Sequence, residues 1–437
     1  MTNIEIGLWS FPVLLGMIFL RAPIGLAMLV CGLGGMWLIT GSPNMVLAKL
    51  KTETYGTFSS YSLSIIPIFL LMGHLAGIGG MSRSLFKAAE AWLGHLRGGT
   101  AMAAVGACAG FGSICGSSLA TAATMAQVAL PELRRAGYAG GLSTATLAAG
   151  GTLGILIPPS VVLVVYATLT EQNIAKLFLA AFVPGILAAL GYMLVIALFV
   201  RIYPESGGAQ PRLPMAERFR ALVAVWPVLL IFIAVVGGIY TGIFTPTEGA
   251  SVGALGTGLV AWASGQLSMQ RFRAAVLATA NGTAMIFFIV LGAAFFNAFL
   301  ALSQVPQAIS GWVVDQGWAP MSVLFAILVL YLLLGCVMDS LSMILLTIPI
   351  FFPVMTSLDF GLSQEHMAIW FGILVLIVVE VGLITPPVGM NLFIINAMDK
   401  STPITATYHA VMYFVASDIL RVVLLALIPA ITLFLIP

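Results

Sequence analysis

The sequence is poor in charge. Only 7% of its 437 residues are Asp, Glu, Lys or Arg, while 61% are hydrophobic. A soluble domain carries about 25% charged residues, so this chain could not cover the surface of a water-soluble globule. The shortage excludes a cytosolic enzyme, a nucleic-acid-binding protein and a disordered chain. Unbroken apolar runs such as 176–200 and 221–244 argue against a membrane barrel, whose strands alternate polar and apolar residues. An all-α polytopic membrane protein remains.

Several motifs typical of ATP-driven and hydrolytic proteins are also missing. No G-x-x-x-x-G-K phosphate-binding loop is present, which argues against an ATP-driven pump. No H-E-x-x-H or G-x-S-G motif is present, and of the four histidines only His74 lies well inside a predicted membrane segment. An intramembrane hydrolase is therefore a distant alternative, and we expect a transporter rather than an enzyme. The four cysteines lack metal-ligand spacing and are expected to be small core residues.

Apolar stretches and basic residues together predict the membrane topology. A spanning helix needs roughly 20 residues, and the connector 201–220 is assigned to the cytoplasm because it carries four arginines. Counting outward from it places most basic residues inside and both termini in the periplasm. The count holds only if 100–130 and 320–357 each enter and leave on one side, as re-entrant hairpins. The predicted spans are 4–20, 23–40, 61–80, 176–200, 221–243, 246–264, 275–300 and 405–436.

Short motifs recur in the same order in the two halves of the chain. FPVLL at 11–15 resembles WPVLL at 226–230, and GSICGSSL at 112–119 resembles GCVMDSLS at 335–342. The halves have opposite orientations because the connector lies inside, which is the inverted-repeat plan of secondary transporters. The predicted division is 1–200 for the first repeat, 201–220 for the connector and 221–437 for the second repeat.

Two proline pairs interrupt apolar segments at matching places. GILIPP at 154–159 lies within the segment 139–170, and GLITPP at 382–387 lies within 366–398. Each proline removes an amide donor and disfavours helix in the preceding residue. Both segments are therefore predicted to be broken helices, and their unpaired carbonyls must face protein or a water-filled cavity. Hydroxyls at the first hairpin tip and Asp339 at the second make these tips and breaks the candidate site.

The chain resembles the large membrane subunit of the TRAP (tripartite ATP-independent periplasmic) transporters. The resemblance is carried by the run 112–185, by GGIYTGIFTPTEGA at 237–250 and by EVGLITPPVGMNLF at 380–393, and it extends over essentially the whole chain. It implies an elevator-type, sodium-coupled importer of the ion transporter superfamily in the bacterial inner membrane. It also implies a small four-helix membrane subunit and a periplasmic binding protein that delivers an organic acid, such as sialic acid or a dicarboxylate. The alternative is a sodium- or proton-coupled anion transporter without a binding protein.

Two sodium sites are expected, one where each hairpin tip meets its broken helix. Sodium needs about five or six oxygen ligands, and unwound backbone supplies carbonyls without adding charge. The first site is assigned to Ser113, Gly116, Ser117, Gly154, Ile157 and Pro158. The second is assigned to Gly335, Asp339, Ser340, Thr385, Pro386 and Gly389. The organic anion is expected between the tips, near Ser118, Ser160 and Asn391, where the cation and anion charges offset one another.

The remaining segments are expected to support this site. Loop 81–97 is predicted to be an interfacial amphipathic helix on the cytoplasmic side, with 301–319 as its counterpart outside. The hairpins and broken helices, 100–170 and 320–398, are expected to move against a scaffold. The apolar face of the cytoplasmic arm is assigned to Leu85, Ala89, Trp92 and Leu96, and the scaffold to 4–80, 176–200, 221–300 and 405–436.

Four ionisable residues are expected to act outside substrate binding. Glu248 follows Thr245 at a predicted helix start, where a carboxylate is stabilised by free amides. Glu380 lies on the second broken helix and is expected to be protonated or bonded to a neighbour, in a structural or coupling role. Asp418 and Arg421 are three residues apart on the last span and are expected to form a compensating pair.

Overall fold

A computed structural model describes residues 1–436, and every regular element in these residues is a helix. The first half holds α1 (Asn3–Phe19), α2 (Ile24–Thr40), α3 (Pro43–Ser59), α4 (Ile65–Ile78), α5 (Met81–Leu93), α6 (Gly99–Cys115), α7 (Ser118–Arg135), α8 (Gly140–Leu156), α9 (Val161–Thr170) and α10 (Ile174–Ile202). The second half holds α11 (Met215–Val223), α12 (Trp226–Phe232), α13 (Gly238–Tyr240), α14 (Pro246–Ala263), α15 (Met269–Ser303), α16 (Val305–Asp315), α17 (Pro320–Gly335), α18 (Ser340–Thr356), α19 (Gln364–Gly382), α20 (Met390–Met398), α21 (Ile404–Leu427) and α22 (Pro429–Leu433).

Several of these helices have the length and composition of membrane spans. By these two criteria α10, α15, α19 and α21 could each cross a bilayer, and up to seven spans result if each bent pair of helices counts as one. Helices α1 and α2, predicted as spans 4–20 and 23–40, are apolar helices of 17 residues each. The chain is thus an all-helical protein with the apolar helices of a multi-pass membrane protein.

One helix was not predicted from the sequence. Residues 43–59, expected to be a loop, form α3, which meets the following helical segment Ser62–Ile78 at 54°. Pro43 occupies the first turn, where its missing amide costs nothing. Helix α3 contains several polar residues, including Lys49 and Glu53, which form an ion pair at 3.0 Å. These residues lower its hydropathy, so it is not recognised as an apolar run. It packs against α2 and α15.

Both proline pairs break their helices, as predicted. Helix α8 ends at Leu156 and α9 begins at Val161, with a bend of 44° between them. Helix α19 ends at Gly382 and α20 begins only at Met390. The intervening backbone cannot complete a helical ladder, because proline has no amide hydrogen.

Each predicted hairpin is a pair of helices joined by a short irregular segment. In the first pair, α6 ends where Gly116 adopts a left-handed conformation with φ of 65°, which glycine tolerates without strain. In the second pair, α17 ends at Gly335 and α18 begins at Ser340. The two helices of each pair contact one another.

The helices pack as two groups. We call α1–α4 and α12–α15 the frame, in which α15 contacts α1, α2, α3 and α4. We call α6–α10 and α17–α22 the hairpin block, in which α8 contacts α6, α7, α20 and α21. Segments 176–200 and 405–436 were expected in the scaffold, but α10 and α21 pack against α8, α19 and each other. On the basis of these contacts we group both helices with the hairpin block.

Side chains from the two halves interlock within the hairpin block. The Tyr166 hydroxyl donates to the carbonyl of Ala368 at 2.6 Å, and Lys176 pairs with Glu365 at 2.6 Å. At the other end of the block, Arg134 pairs with Asp399 across the two halves. Burial raises the pKa of the Asp399 carboxyl, but hydrogen bonds from Ser401 and Thr402 and the charge of Arg134 outweigh it and leave that pKa below its usual value.

The arm helix α5 exists, and its predicted apolar face is confirmed in part, since Leu85, Ala89 and Trp92 are half-buried. Met81, Phe86, Ala88 and Ala91 are buried, whereas Leu96 is exposed beyond the end of the helix. Leu85 and Ala89 face Gly110 and Gly106 of α6, and α7 and α11 also pack on α5, so more of the helix is covered than the predicted face. At 13 residues it is too short to cross a bilayer.

Two structural predictions for charged residues are confirmed. Glu248 and Thr245 form a reciprocal capping box at the start of α14, with the Thr245 amide donating to Glu248 Oε2 at 2.8 Å. Inside the hairpin block, the Arg421 guanidinium lies 2.8 Å from Asp418 Oδ1 and forms an ion pair with it.

Candidate ion and substrate site

The first hairpin tip lies directly against the first break. A methyl group added to Gly112 would lie 2.4 Å from the Cα of Gly154, so the two backbones touch because neither residue has a side chain. A methyl group on Gly154 would in turn lie 3.0 Å from the Ser117 carbonyl oxygen. Gly116 faces the carbonyl of Pro159. The structure therefore brings the residues assigned to the first sodium site into one neighbourhood.

Several oxygens at this junction keep unused lone pairs. The Ser113 hydroxyl donates its proton to the carbonyl of Gly110 at 2.8 Å, which leaves its own lone pairs available. Within residues 1–436, the carbonyls of Ile157 and Pro158 accept no hydrogen bond. The buried hydroxyl of Thr121 likewise has no partner among these residues and faces Gly154. Sequence reasoning missed Thr121, although its position one helical turn after Ser117 could have indicated it.

The second tip meets the second break in a similar way. A methyl group on Gly382 would lie 2.5 Å from the Cα of Gly335. The Gly389 amide donates to the Cys336 carbonyl at 3.3 Å, and the Thr385 hydroxyl donates to the Val381 carbonyl at 2.6 Å. In the aligned motifs, Gly112 corresponds to Gly335 and Gly154 corresponds to Gly382. In each half, the glycine of the tip contacts the glycine of the break: Gly112 contacts Gly154, and Gly335 contacts Gly382.

Asp339 caps a helix at the second tip. Its carboxylate accepts the Ser342 amide at 3.1 Å and the Ser342 hydroxyl at 2.5 Å, at the start of α18. The motif alignment set Asp339 opposite Gly116, but its structural equivalent is Ser117, which caps α7. The register differs by one residue because the second tip is one residue shorter between its glycine and its cap.

Glu380 lies between the two hairpin tips. It is 1% exposed, and its Oε1 accepts the Ser340 hydroxyl at 2.7 Å. The Ser118 hydroxyl of the first tip lies beside the same carboxyl group. The expectation that Glu380 is bonded to a neighbour is thus confirmed, and the neighbour belongs to the second sodium site assigned from the sequence.

The three residues assigned to the substrate are enclosed by protein. Ser118, Ser160 and Asn391 are 1%, 0% and 0% exposed. Ser160 caps α9, and the Asn391 side chain donates to the carbonyl of Ala148 at 3.2 Å. These contacts give Ser160 and Asn391 structural roles at the two breaks.

An open cavity of about 310 Å³ lies beside the first tip, between α4 of the frame and α7 of the hairpin block. Its polar lining consists of His74 from α4 and of Ser117, Thr124 and Gln127 from the first hairpin. Only Ser117 of these was assigned to the site from the sequence. His74 could have been noticed, because it was the one histidine placed well inside the membrane.

Similarity to known proteins identifies the family. The sequence pattern of the family described as "Tripartite ATP-independent periplasmic transporter, DctM component" matches residues 11–431. The chain belongs to the TRAP transporter large permease family. The permease is 37% identical to the C4-dicarboxylate TRAP transporter large permease protein of Pseudomonas aeruginosa, over 92% of each chain. It is 29% identical to the sialic acid TRAP transporter large permease protein of Vibrio cholerae, over 96% of each chain.

A solved structure shares the fold of the permease. The crystal structure of the Alcanivorax borkumensis YdaH transporter aligns with a TM-score of 0.62 over 88% of this chain and 89% of that chain. Its sequence identity of 17% limits the likeness to the fold.

Proposed function

We propose that the permease imports a small organic acid anion across the bacterial inner membrane, coupled to sodium. The observation that carries this proposal is the contact of each hairpin tip with a broken helix, where carbonyl and hydroxyl oxygens gather inside an apolar protein. Membrane helices tolerate such irregular backbone where it lines a binding site.

The first sodium ion is assigned to the junction of Ser113, Gly116 and Ser117 with Gly154, Ile157 and Pro158. The free lone pairs of Ser113 and the two carbonyls without hydrogen bonds support this assignment, and Thr121 is added as a further ligand. The second ion is assigned to Gly335, Asp339, Ser340, Thr385, Pro386 and Gly389. There the Thr385 hydroxyl donates its proton to Val381 and keeps its lone pairs, as Ser113 does.

Four helix starts favour an anion near the same site. Helices α7, α9, α18 and α20 begin at the tips and breaks, and each helix start carries partial positive charge, which at α18 is already offset by the Asp339 carboxylate. No lysine or arginine stands at these tips and breaks. Sodium ions and helix starts would therefore supply the charge that offsets a carboxylate.

We propose that the hairpin block moves against the frame as in an elevator. The interlocked side chains of the two halves support a block that moves as a unit, and the matched glycine contacts support the inverted repeat. In this proposal α10 and α21 travel with the block, while the frame is held by a small membrane subunit. A periplasmic binding protein delivers the anion from outside, where both termini are placed.

Reconstitution tests this function. The permease is incorporated into liposomes with its small membrane subunit, and labelled succinate or sialic acid is supplied with the cognate binding protein. We expect uptake that requires both an inward sodium gradient and the binding protein. Uptake of free acid without the binding protein would favour the alternative of an independent anion transporter. Uptake driven equally by a proton gradient alone would contradict sodium coupling.

A further inference from the structure

We infer that the cavity between α4 and α7 holds the transported anion in this conformation and that His74 determines its recognition. This inference rests on the proposed function and adds a binding position to it. The cavity of about 310 Å³ is large enough for a small organic acid, unlike the enclosed surroundings of Ser118, Ser160 and Asn391.

The lining forms a track along one side of the first hairpin. Ser117, Ala120, Thr124 and Gln127 follow one another at intervals of three or four residues, which places them on one face of α7. Ser117 and Thr124 are half-buried, whereas Gln127 is exposed, so the cavity opens towards the end of α7. That end carries Arg134 and Arg135 and is the predicted cytoplasmic end.

Two glycines of α4, Gly73 and Gly77, line the cavity beside His74. Gly73 approaches the tip so closely that an added methyl group would lie 3.1 Å from the Cα of Cys115. A methyl group on Gly77 would have no atom within 4 Å, so the space beside it is open. His74 is half-buried and makes no hydrogen bond to another of residues 1–436. Because His74 also lines the cavity, its ring nitrogens are available there as a donor and an acceptor.

The chemistry of the lining suits a carboxylate. The imidazole, the Gln127 amide and the hydroxyls of Ser117 and Thr124 all donate hydrogen bonds, and the lining contains no Asp or Glu. An acyl chain would leave these donors without hydrogen-bond partners, which disfavours it relative to a carboxylate. Ser117 also belongs to the first sodium site, so a bound anion would lie beside a bound cation.

The position of His74 makes this recognition dependent on conformation. His74 belongs to the frame, whereas Ser117, Thr124 and Gln127 belong to the hairpin block. The two sets meet only while the block stands where it does in this structure. Movement of the block would separate His74 from the other donors and so weaken the hold on the anion.

Transport kinetics test the role of His74. The His74→Ala permease is reconstituted with its partners, and the uptake of labelled succinate and sialic acid is measured. We expect KM for the transported acid to rise about tenfold, the loss of a contact worth about 1.4 kcal/mol, with the half-saturating sodium concentration unchanged. His74→Gln restores a donor and should recover part of the affinity. His409→Gln, at an exposed position on α21, is the matched control and should change neither constant.

The outcomes separate this inference from the proposed function. An unchanged KM in His74→Ala would overturn the inference while wild-type uptake upheld the function. Absence of wild-type uptake for either acid would overturn both.

A second measurement does not depend on the transport rate. The Thr124→Cys variant, with the native cysteines replaced by alanine, is labelled with a hydrophilic maleimide. The transported acid should slow labelling several-fold, and an unchanged labelling rate would contradict occupancy of the cavity.

Discussion

At the scale of single residues, Asp339 combines two roles that one substitution can separate. Asn caps helices about as well as Asp, so Asp339→Asn should keep α18 folded while removing the negative charge. We expect the half-saturating sodium concentration to rise about threefold to tenfold, the effect of losing a charge interaction of about 1 kcal/mol. Sodium-dependent uptake measures this change. Asp315→Asn, at an exposed position, is the control. If both variants change the half-saturating sodium concentration equally, Asp339 acts only as a helix cap and does not bind sodium.

Glu380 offers a second test at this scale. The amide of Glu380→Gln can still accept the Ser340 hydroxyl, so this variant should fold and keep at least partial transport. Glu380→Leu leaves the buried Ser340 hydroxyl without its acceptor and should lose about 1–3 kcal/mol of stability. Thermal unfolding of the purified variants in detergent, with uptake, distinguishes the two. Complete loss of transport in a well-folded Glu380→Gln would point instead to a coupling role.

Some contacts of single residues could not be predicted from the sequence. The bond between Ser340 and Glu380 spans 40 positions and depends on how α18 packs against α19, which no local pattern encodes. The enclosure of Asn391 and the exposure of the His74 cavity are likewise properties of packing. Residue type indicated that these side chains matter, but their partners became visible only in three dimensions.

At the scale of elements, the glycine contacts between tips and breaks should be sensitive to volume. Gly112→Ala would force its methyl group against the Gly154 backbone, and we expect a loss of about 1–3 kcal/mol through overpacking. Gly16→Ala in α1 meets no atom within 4 Å and is the matched control, which should be neutral or slightly stabilising. Thermal unfolding in detergent compares them, and equal melting temperatures would contradict tight contact at the tip.

Elements differ in how far the sequence reveals them. The breaks at Pro158-Pro159 and Pro386-Pro387 were predictable because proline acts through local backbone chemistry. Helix α3 was not, because its polar residues hide a helix that is held by packing on α2 and α15. The arm α5 was predicted as a helix, but the extent of its buried surface was not, since this depends on how α6, α7 and α11 pack around it.

At the scale of the whole molecule, the division into frame and hairpin block predicts which cross-links stop transport. A methyl group at Gly73 would lie 3.3 Å from the Cys115 sulfur, so Gly73→Cys should form a disulfide that joins the frame to the block. We expect oxidation to abolish uptake and reduction to restore it. Gly150→Cys, placed beside Cys108 within the block, is the control, and its rate of transport should be the same in the oxidised and reduced states. Uptake by the oxidised Gly73→Cys variant would contradict the division.

The sequence predicted the architecture of the whole molecule better than it predicted the division between frame and hairpin block. Motifs repeated in both halves identified the tips and breaks, because these sites need glycine and proline at fixed places. The sequence assigns α10 and α21 to the scaffold because their apolar sequences resemble those of frame helices, whereas their contacts lie mostly with helices of the hairpin block. Only their packing against α8 and α19 shows to which group they belong.

The sodium dependence of the initial uptake rate tests the central claim most directly. In liposomes that hold the permease with its small subunit, uptake of the delivered acid is measured over a range of external sodium concentrations. Two ions, one at each tip, predict a sigmoidal curve with a Hill coefficient above one. A rate that does not respond to sodium would contradict the account.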